Sequence, residues 1–206
     1  MQKKAELTEH KAVLAHLTSV QPNPGSKTRH TGQERDLLAA RLKAGDRTAA
    51  DELVDIYYEQ IYLFMRRLGH STDVSEDLTQ ESFIQAWFHI NQLRDGKALN
   101  GWLYRIAVNA SKLYWRRHKG REIIGIEGID VPDRNKTEGD IMERSEQHEN
   151  LRNAVSRLPV KLRQAVTLHY MQHLTIAEAA VAAGVREGTL KSRLNRALRA
   201  LRKKVT

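Results

Sequence analysis

At 206 residues the chain has room for one large domain or two small ones, and each small one can bury an adequate core. Against 25 Asp and Glu stand 34 Lys and Arg, for a formal net charge of +9 that points to a polyanionic partner. Cysteine is absent, which excludes a disulfide framework, Cys-ligated zinc and a thiol redox switch, and no apolar run approaches the ~20 residues of a membrane span.

Residues 1–32 are expected to form a flexible N-terminal extension. Residues 5–17 have room for a short helix, and Pro22, Pro24 and Gly25 then break regular structure. Lys3 and Lys4 are followed by Glu6, Glu9 and His10, which interrupt any signal-peptide core. The cytoplasm is the expected compartment.

Residues 33–119 read as one helical domain. A first helix over roughly 33–44 ends near Gly45, and Asp46 or Thr48 starts the next, which carries Leu53, Ile56, Tyr57, Ile61, Phe64, Met65 and Leu68 up to Gly69. A third helix starts near Asp73 or Ser75. Its opening is acidic and polar, and Asp77, Gln80, Glu81 and Gln85 share a face that repels DNA phosphate. That face suits a protein partner, or is an ordinary solvated surface. A break at 91–97, with Asp95-Gly96 as its turn signal, precedes a fourth helix over about 100–117.

That fourth helix has two faces. Arg105, Asn109, Lys112 and Arg116 form a polar basic stripe, whereas Leu103, Ile106, Ala107, Ala110 and Leu113 point toward a core. Trp102, Tyr104, Tyr114 and Trp115 are interleaved, and no acid occurs from Lys97 to Arg121. Cations beside aromatic rings suit single-stranded nucleic acid, because cations hold the backbone while rings stack on unpaired bases. Trp102 and Tyr114 fit a core equally well; Trp115, beside Arg116 and Arg117, leans to the nucleic-acid surface.

Residues 120–147 change character. From Glu122 to Glu149 nine acids outnumber three bases, and Gly120, Gly125, Gly128, Gly139 and Pro132 discourage a long helix. The segment reads as a flexible acidic linker, which fully extended reaches ~90 Å.

Residues 148–206 read as a second helical domain: a helix over roughly 148–157, a corner at Leu158-Pro159, a helix over 160–173, then a helix-turn-helix. Thr175 and Glu178 make a capping box, and Ile176, Ala179, Ala180 and Ala183 recur at helical spacing. Gly184 stands where a left-handed residue closes the helix. The last helix carries Leu190, Leu194, Leu198 and Leu201 on one stripe, and eight basic residues against one acid from Arg186 to Thr206. Such a helix packs by one face and offers the other to DNA in the major groove. Thr189, Lys191, Ser192, Arg193 and Arg196 are the candidates for base readout, with Arg186 and Arg199 on phosphates.

At these residues the chain resembles a bacterial RNA polymerase sigma factor of the extracytoplasmic-function (ECF) type, in the sigma-70 family. The resemblance rests on DELVDIYYEQIYLFMRRLG (51–69), DLTQESFIQAW (77–87), GWLYRIAVNASKLYWRR (101–117), RLPVKLRQAVTLHY (157–170) and TIAEAAVAAGVREGTLKSRLNRALRALR (175–202), in this order and spacing. It implies an all-α chain of two small helical domains joined by the acidic linker, a region 2-like bundle at 33–119 and a region 4-like domain at 148–206. It implies that Asp77, Gln80, Glu81 and Trp87 bind the clamp helices of the polymerase β′ subunit. Residues 91–100 would capture a flipped base of the minus-10 element. Trp102, Arg105, Asn109, Lys112, Trp115 and Arg116 would hold the melted strand, and the helix-turn-helix would read the minus-35 element. An anti-sigma factor is the further partner implied. The family favours Asp where Leu113 stands, and Ser or Pro where Arg186 stands.

No catalytic residue, cofactor, metal or stable homo-oligomer is expected. The chain has no Walker loop, nucleophile elbow or HExxH, and His169 and His173 lack an evident third ligand. The rival class is a DNA-binding regulator acting alone, with 33–119 as a sensing or dimerisation domain; such a domain needs no second nucleic-acid surface.

Overall fold

Asp46 opens the first long helix by accepting from the backbone N–H groups of Thr48 and Ala49. The Thr48 hydroxyl, then the Arg41 guanidinium, hold its carboxyl at about 2, below the usual carboxylate range. This junction is one corner of a computed structural model that describes residues 32–118, 151 and 153–205. The described residues are helical apart from turns, with no strand among them. The expected N-terminal extension up to residue 31, its short helix over 5–17 and the acidic linker of 120–147 lie outside the described residues.

Helix α1 spans Gly32–Lys43, and Gly45, at φ 79°, turns the chain into α2, Arg47–Arg67. Arg41 bonds both Asp46 (2.9 Å) and Glu52 (2.6 Å), fastening the end of α1 to the start of α2. Helix α3, Thr72–His89, begins slightly earlier than the expected Asp73 or Ser75, because the Ser71 hydroxyl accepts from Val74 N and caps it. The expected break at 91–97 consists of two 3-10 turns, Ile90–Gln92 and Gly96–Ala98, and α4 follows as Leu99–Arg117. Ile61, Phe64, Met65, Leu99, Leu103 and Tyr104 are fully buried between these helices. Tyr104 meets Phe64 edge-on at 5.3 Å.

Beyond Pro159 comes α5, Val160–Val166, and here the structure departs from an unbroken helix to His173. Residues Thr167–Met171 widen into a π turn, and His173 adopts φ 53°, a left-handed conformation rare outside glycine. Gln172 N bonds Thr167 O and Leu174 N bonds Leu168 O, so the chain turns there instead of continuing.

The helix-turn-helix follows as expected. Thr175 and Glu178 form the capping box of α6, Ile176–Ala183, and Gly184 closes it at φ 67°. Helix α7, Glu187–Val205, buries Leu190, Leu194, Leu198 and Leu201 against α5 and α6. Helix α4 in turn packs along α6, so the buried apolar residues of both halves form one continuous cluster.

Candidate nucleic-acid interface

Between α3 and α4 runs a groove of about 840 Å³. Its α3 wall presents Asp77, Glu81, Gln85 and His89, one row at i, i+4, i+8 and i+12. Gln85 donates to Glu81 Oε1 (2.7 Å), and His89 and Gln92 extend this hydrogen-bonded chain at 3.1 and 3.3 Å. The α4 wall presents Trp102, Arg105, Asn109, Tyr114 and Arg117. One wall is therefore acidic and amide-rich, and the other cationic and aromatic. The sequence pattern named Asp77, Glu81, Trp102, Arg105 and Asn109 separately; the fold brings them to one groove. It missed His89, Gln92 and Arg117, of which only the spacing of Glu81, Gln85 and His89 was legible.

The other strand-holding candidates lie elsewhere on α4. Arg116 is exposed and outside the groove. Lys112 Nζ donates to the carbonyl of Ala183, at the last residue of α6 (3.3 Å). Burial, then the nearby Arg193 and Arg105, lower its pKa. Trp115 stacks on the His70 ring at 4.9 Å, and its buried indole N–H has no acceptor. His70 is itself buried, with Nε2 at 2.7 Å from the Ser111 hydroxyl. Trp102 is half-buried and packs against the core while still lining the groove.

The loop at 91–100 is held from behind by α1. Gly96 is buried, and a Cβ there would fall 2.5 Å from Asp36 Cα. Asp95 accepts from Lys97 N and caps the second 3-10 turn. Leu93 and Leu99 anchor the two ends in the core.

On the outer side of α3, Gln80 and Trp87 are exposed away from the groove. They share that side with Ile84 (50% exposed) and Phe88 (72% exposed). Two large apolar side chains left in water beside a tryptophan make a surface suited to a protein partner.

On α7 the candidates separate cleanly. Thr189, Lys191, Ser192, Arg196 and Arg199 are exposed, as is Arg186 just before the helix, while Arg193 is half-buried. The leucine stripe opposite them is buried, so their direction is fixed by packing.

Comparison with known proteins identifies the family. Residues 39–121 match the Sigma-70 region 2 family model and residues 148–201 match Sigma-70, region 4. The chain is 30% identical to the ECF RNA polymerase sigma factor SigW of Bacillus subtilis, over 80% of this chain and 93% of that protein. It is 34% identical to the ECF RNA polymerase sigma factor SigM of Mycobacterium tuberculosis, over 85% and 86%. The chain belongs to the ECF sigma factors of the sigma-70 family.

An ECF sigma factor directs promoter-specific transcription initiation with RNA polymerase, and that is the function of this chain. Solved structures share the fold. CnrH, in complex with the cytosolic domain of CnrY, superposes with a TM-score of 0.60 at 19% identity over 81% of this chain and 94% of that one. RpoE of Bartonella quintana, solved with the anti-sigma factor NepR, gives 0.57 at 22% over 74% and 94%. Among the described residues of this sigma factor no helix is long and apolar enough to cross a membrane, and no group of three or more His, Cys, Asp or Glu is placed to hold a metal.

Proposed function

We propose that this sigma factor divides promoter recognition between two modules, residues 33–119 on polymerase and the minus-10 element and residues 148–206 on the minus-35 element, with 120–147 as the leash between them. The observation that carries this is the pair of cationic helices, α4 and α7, each fixed by a buried face and each presenting cations on the other.

At the minus-35 element, Thr189, Lys191, Ser192, Arg193 and Arg196 read base edges, and Arg186 and Arg199 hold phosphates. At the minus-10 element, Arg105, Asn109, Lys112 and Arg116 hold the melted strand. Trp102, in the groove, supplies the stacking surface. Trp115 contributes through its stack on His70, which stiffens the end of α4. The loop at 91–100 captures a flipped base. Polymerase docks on α3 through Gln80 and Trp87, with Ile84 and Phe88 as its apolar anchors and Asp77 and Glu81 at the edge of the contact.

The polypeptide acts in the cytoplasm, does no covalent chemistry itself and works under an anti-sigma factor, as RpoE was solved with NepR. Transcription by purified core polymerase over a genomic promoter library tests this directly. Added protein should start RNA at defined sites that share an upstream and a downstream motif. Starts that do not depend on the added chain, or that lack a shared upstream motif, would refute the division of labour.

A further inference from the structure

The polar side chains on the α3 wall of the groove form a hydrogen-bonded chain with one direction. A carboxylate only accepts, so Gln85 turns its Nε2 to Glu81 Oε1, at 2.7 Å. That leaves Gln85 Oε1 facing His89 Nε2 at 3.1 Å, and an amide oxygen also only accepts. In the neutral ring Nε2 therefore carries the proton and Nδ1 is bare. Gln92 meets that bare nitrogen with its own Nε2, at 3.3 Å. Every donor in the chain points back toward Glu81.

The chain ends where the loop at 91–100 begins. Gln92 closes the 3-10 turn Ile90–Gln92, which is held by Ile90 and Leu93 in the core, while Gln92 itself is exposed and lines the groove with Trp102. The terminal torsion of a glutamine is broad and roughly two-fold, so a lone surface amide turns over readily. Here the bond to His89 selects one orientation. It consumes one amide N–H and leaves Oε1 and the second N–H unbonded among the described residues.

We propose that Gln92 reads the base that leaves the stack, that Gln85 and His89 are its positioning residues, and that the oriented amide selects adenine or cytosine over guanine or thymine. This rests on the assignment of the loop at 91–100 to a flipped base. Adenine and cytosine present an exocyclic amino donor beside a ring-nitrogen acceptor. Guanine and thymine present a carbonyl acceptor beside a ring N–H. An amide, with oxygen beside N–H, matches either pair, but in opposite orientations. A base stacked on Trp102 and tethered to its strand cannot turn over to suit the amide. With the amide also fixed, the wrong class sets donor against donor and acceptor against acceptor, and such unmet groups cost more than a missing bond.

The charge of this wall points the same way. Asp77 and Glu81 line it and repel phosphate, whereas Arg105 and Arg117 line the wall opposite. A nucleotide entering the groove therefore turns its backbone to α4 and its base edge to α3.

Transcription by the holoenzyme over promoters randomised across the minus-10 element tests the proposal. At one position the wild-type chain should favour adenine or cytosine over guanine and thymine by about tenfold, the scale of one matched polar pair. Gln92→Leu should level that position and leave the rest of the motif. His89→Ala keeps Gln92 but frees its amide, and should erase most of the same preference. His89→Gln should retain it, because its amide can donate to Gln85 and accept from Gln92. His89, Gln85 and Gln92 are at the surface of the groove, and denaturation midpoints confirm that each variant is folded. A positioning role limited to fold would lower initiation on every promoter and leave the preference intact. Undiminished preference in Gln92→Leu or in His89→Ala overturns the proposal, as does a wild-type preference for guanine or thymine at the position that Gln92→Leu levels. Absence of any base preference in the wild-type holoenzyme across this element would instead sink the loop assignment itself, and that arm is read from the wild-type chain alone.

Discussion

Tyr104 donates its phenol hydrogen to Gln172 across 2.7 Å, joining α4 to the turn beyond the widened end of α5, 68 residues away. Burial raises the Tyr104 pKa, so the phenol stays a donor throughout the ordinary pH range. Tyr104→Phe should destabilise the protein by ~1–2 kcal/mol, because Gln172 Oε1 loses its donor while the ring's packing on Phe64 survives. The urea midpoint measures this. An unmoved midpoint would mean that the bond contributes nothing in solution.

His70 makes stability depend on pH. Burial first, and Arg163 second, lower its pKa to about 4. In the unfolded chain the ring titrates near ~6.5, so as pH falls the unfolded state takes up the proton first. The contribution of the neutral ring is complete above pH ~6.5 and is lost progressively toward pH 4, a total of ~3 kcal/mol at ~1.4 kcal/mol per unit. His70→Gln should flatten the stability profile in this window. Denaturation midpoints at several pH values, for both proteins, decide the matter.

Phe88 separates binding from folding. At 72% exposure, Phe88→Ser should change stability by no more than ~0.5 kcal/mol. If α3 docks polymerase through its apolar side, affinity for core enzyme should fall at least tenfold, or ~1.4 kcal/mol. Competition with a labelled wild-type chain for core polymerase gives the ratio, and a ratio near one removes Phe88 from the contact.

Gly96 fixes the loop at 91–100 against α1. Gly96→Ala puts a methyl group 2.5 Å from Asp36 Cα, where neither backbone can yield cheaply. The expected cost is ~1–3 kcal/mol of stability. Initiation should suffer more on promoters weakened at the minus-10 element than on promoters weakened at minus-35. Equal loss on both sets would confine Gly96 to a purely structural role.

Arg193 distinguishes base reading from phosphate holding. Arg193→Ala should weaken binding to the cognate upstream element by ~1–3 kcal/mol and relax the preference at one base position. Uniform loss across unrelated sequences, with a shallower salt dependence, would assign it to the backbone.

Much of the fold was legible because it rests on local chemistry. Asp46, the Thr175–Glu178 box, Gly45 and Gly184 mark helix ends through short-range bonds and left-handed glycines, and all four stand where the pattern put them. The leucine stripe of α7 was equally plain, since one buried face determines which cations remain outside. The π turn at 167–171 was not legible, because nothing in Thr-Leu-His-Tyr-Met disfavours an ordinary helix. The groove was hidden because it belongs to no single helix. Asp77 and Arg105 belong to different helices, and only the packing of α3 on α4 makes them opposite walls. Lys112 and Trp115 looked alike as members of a basic, aromatic helix, yet one reaches α6 and the other His70, a difference that single-helix periodicity does not encode.

The two oxygens of Glu178 have separate tasks. Oε2 accepts from the backbone N–H and hydroxyl of Thr175 and so starts α6, while Oε1 faces Arg35. Withdrawal from Arg35 therefore leaves the first turn of α6 fully bonded. Helices α6 and α7 thus carry their own starting cap, whatever stands opposite Arg35.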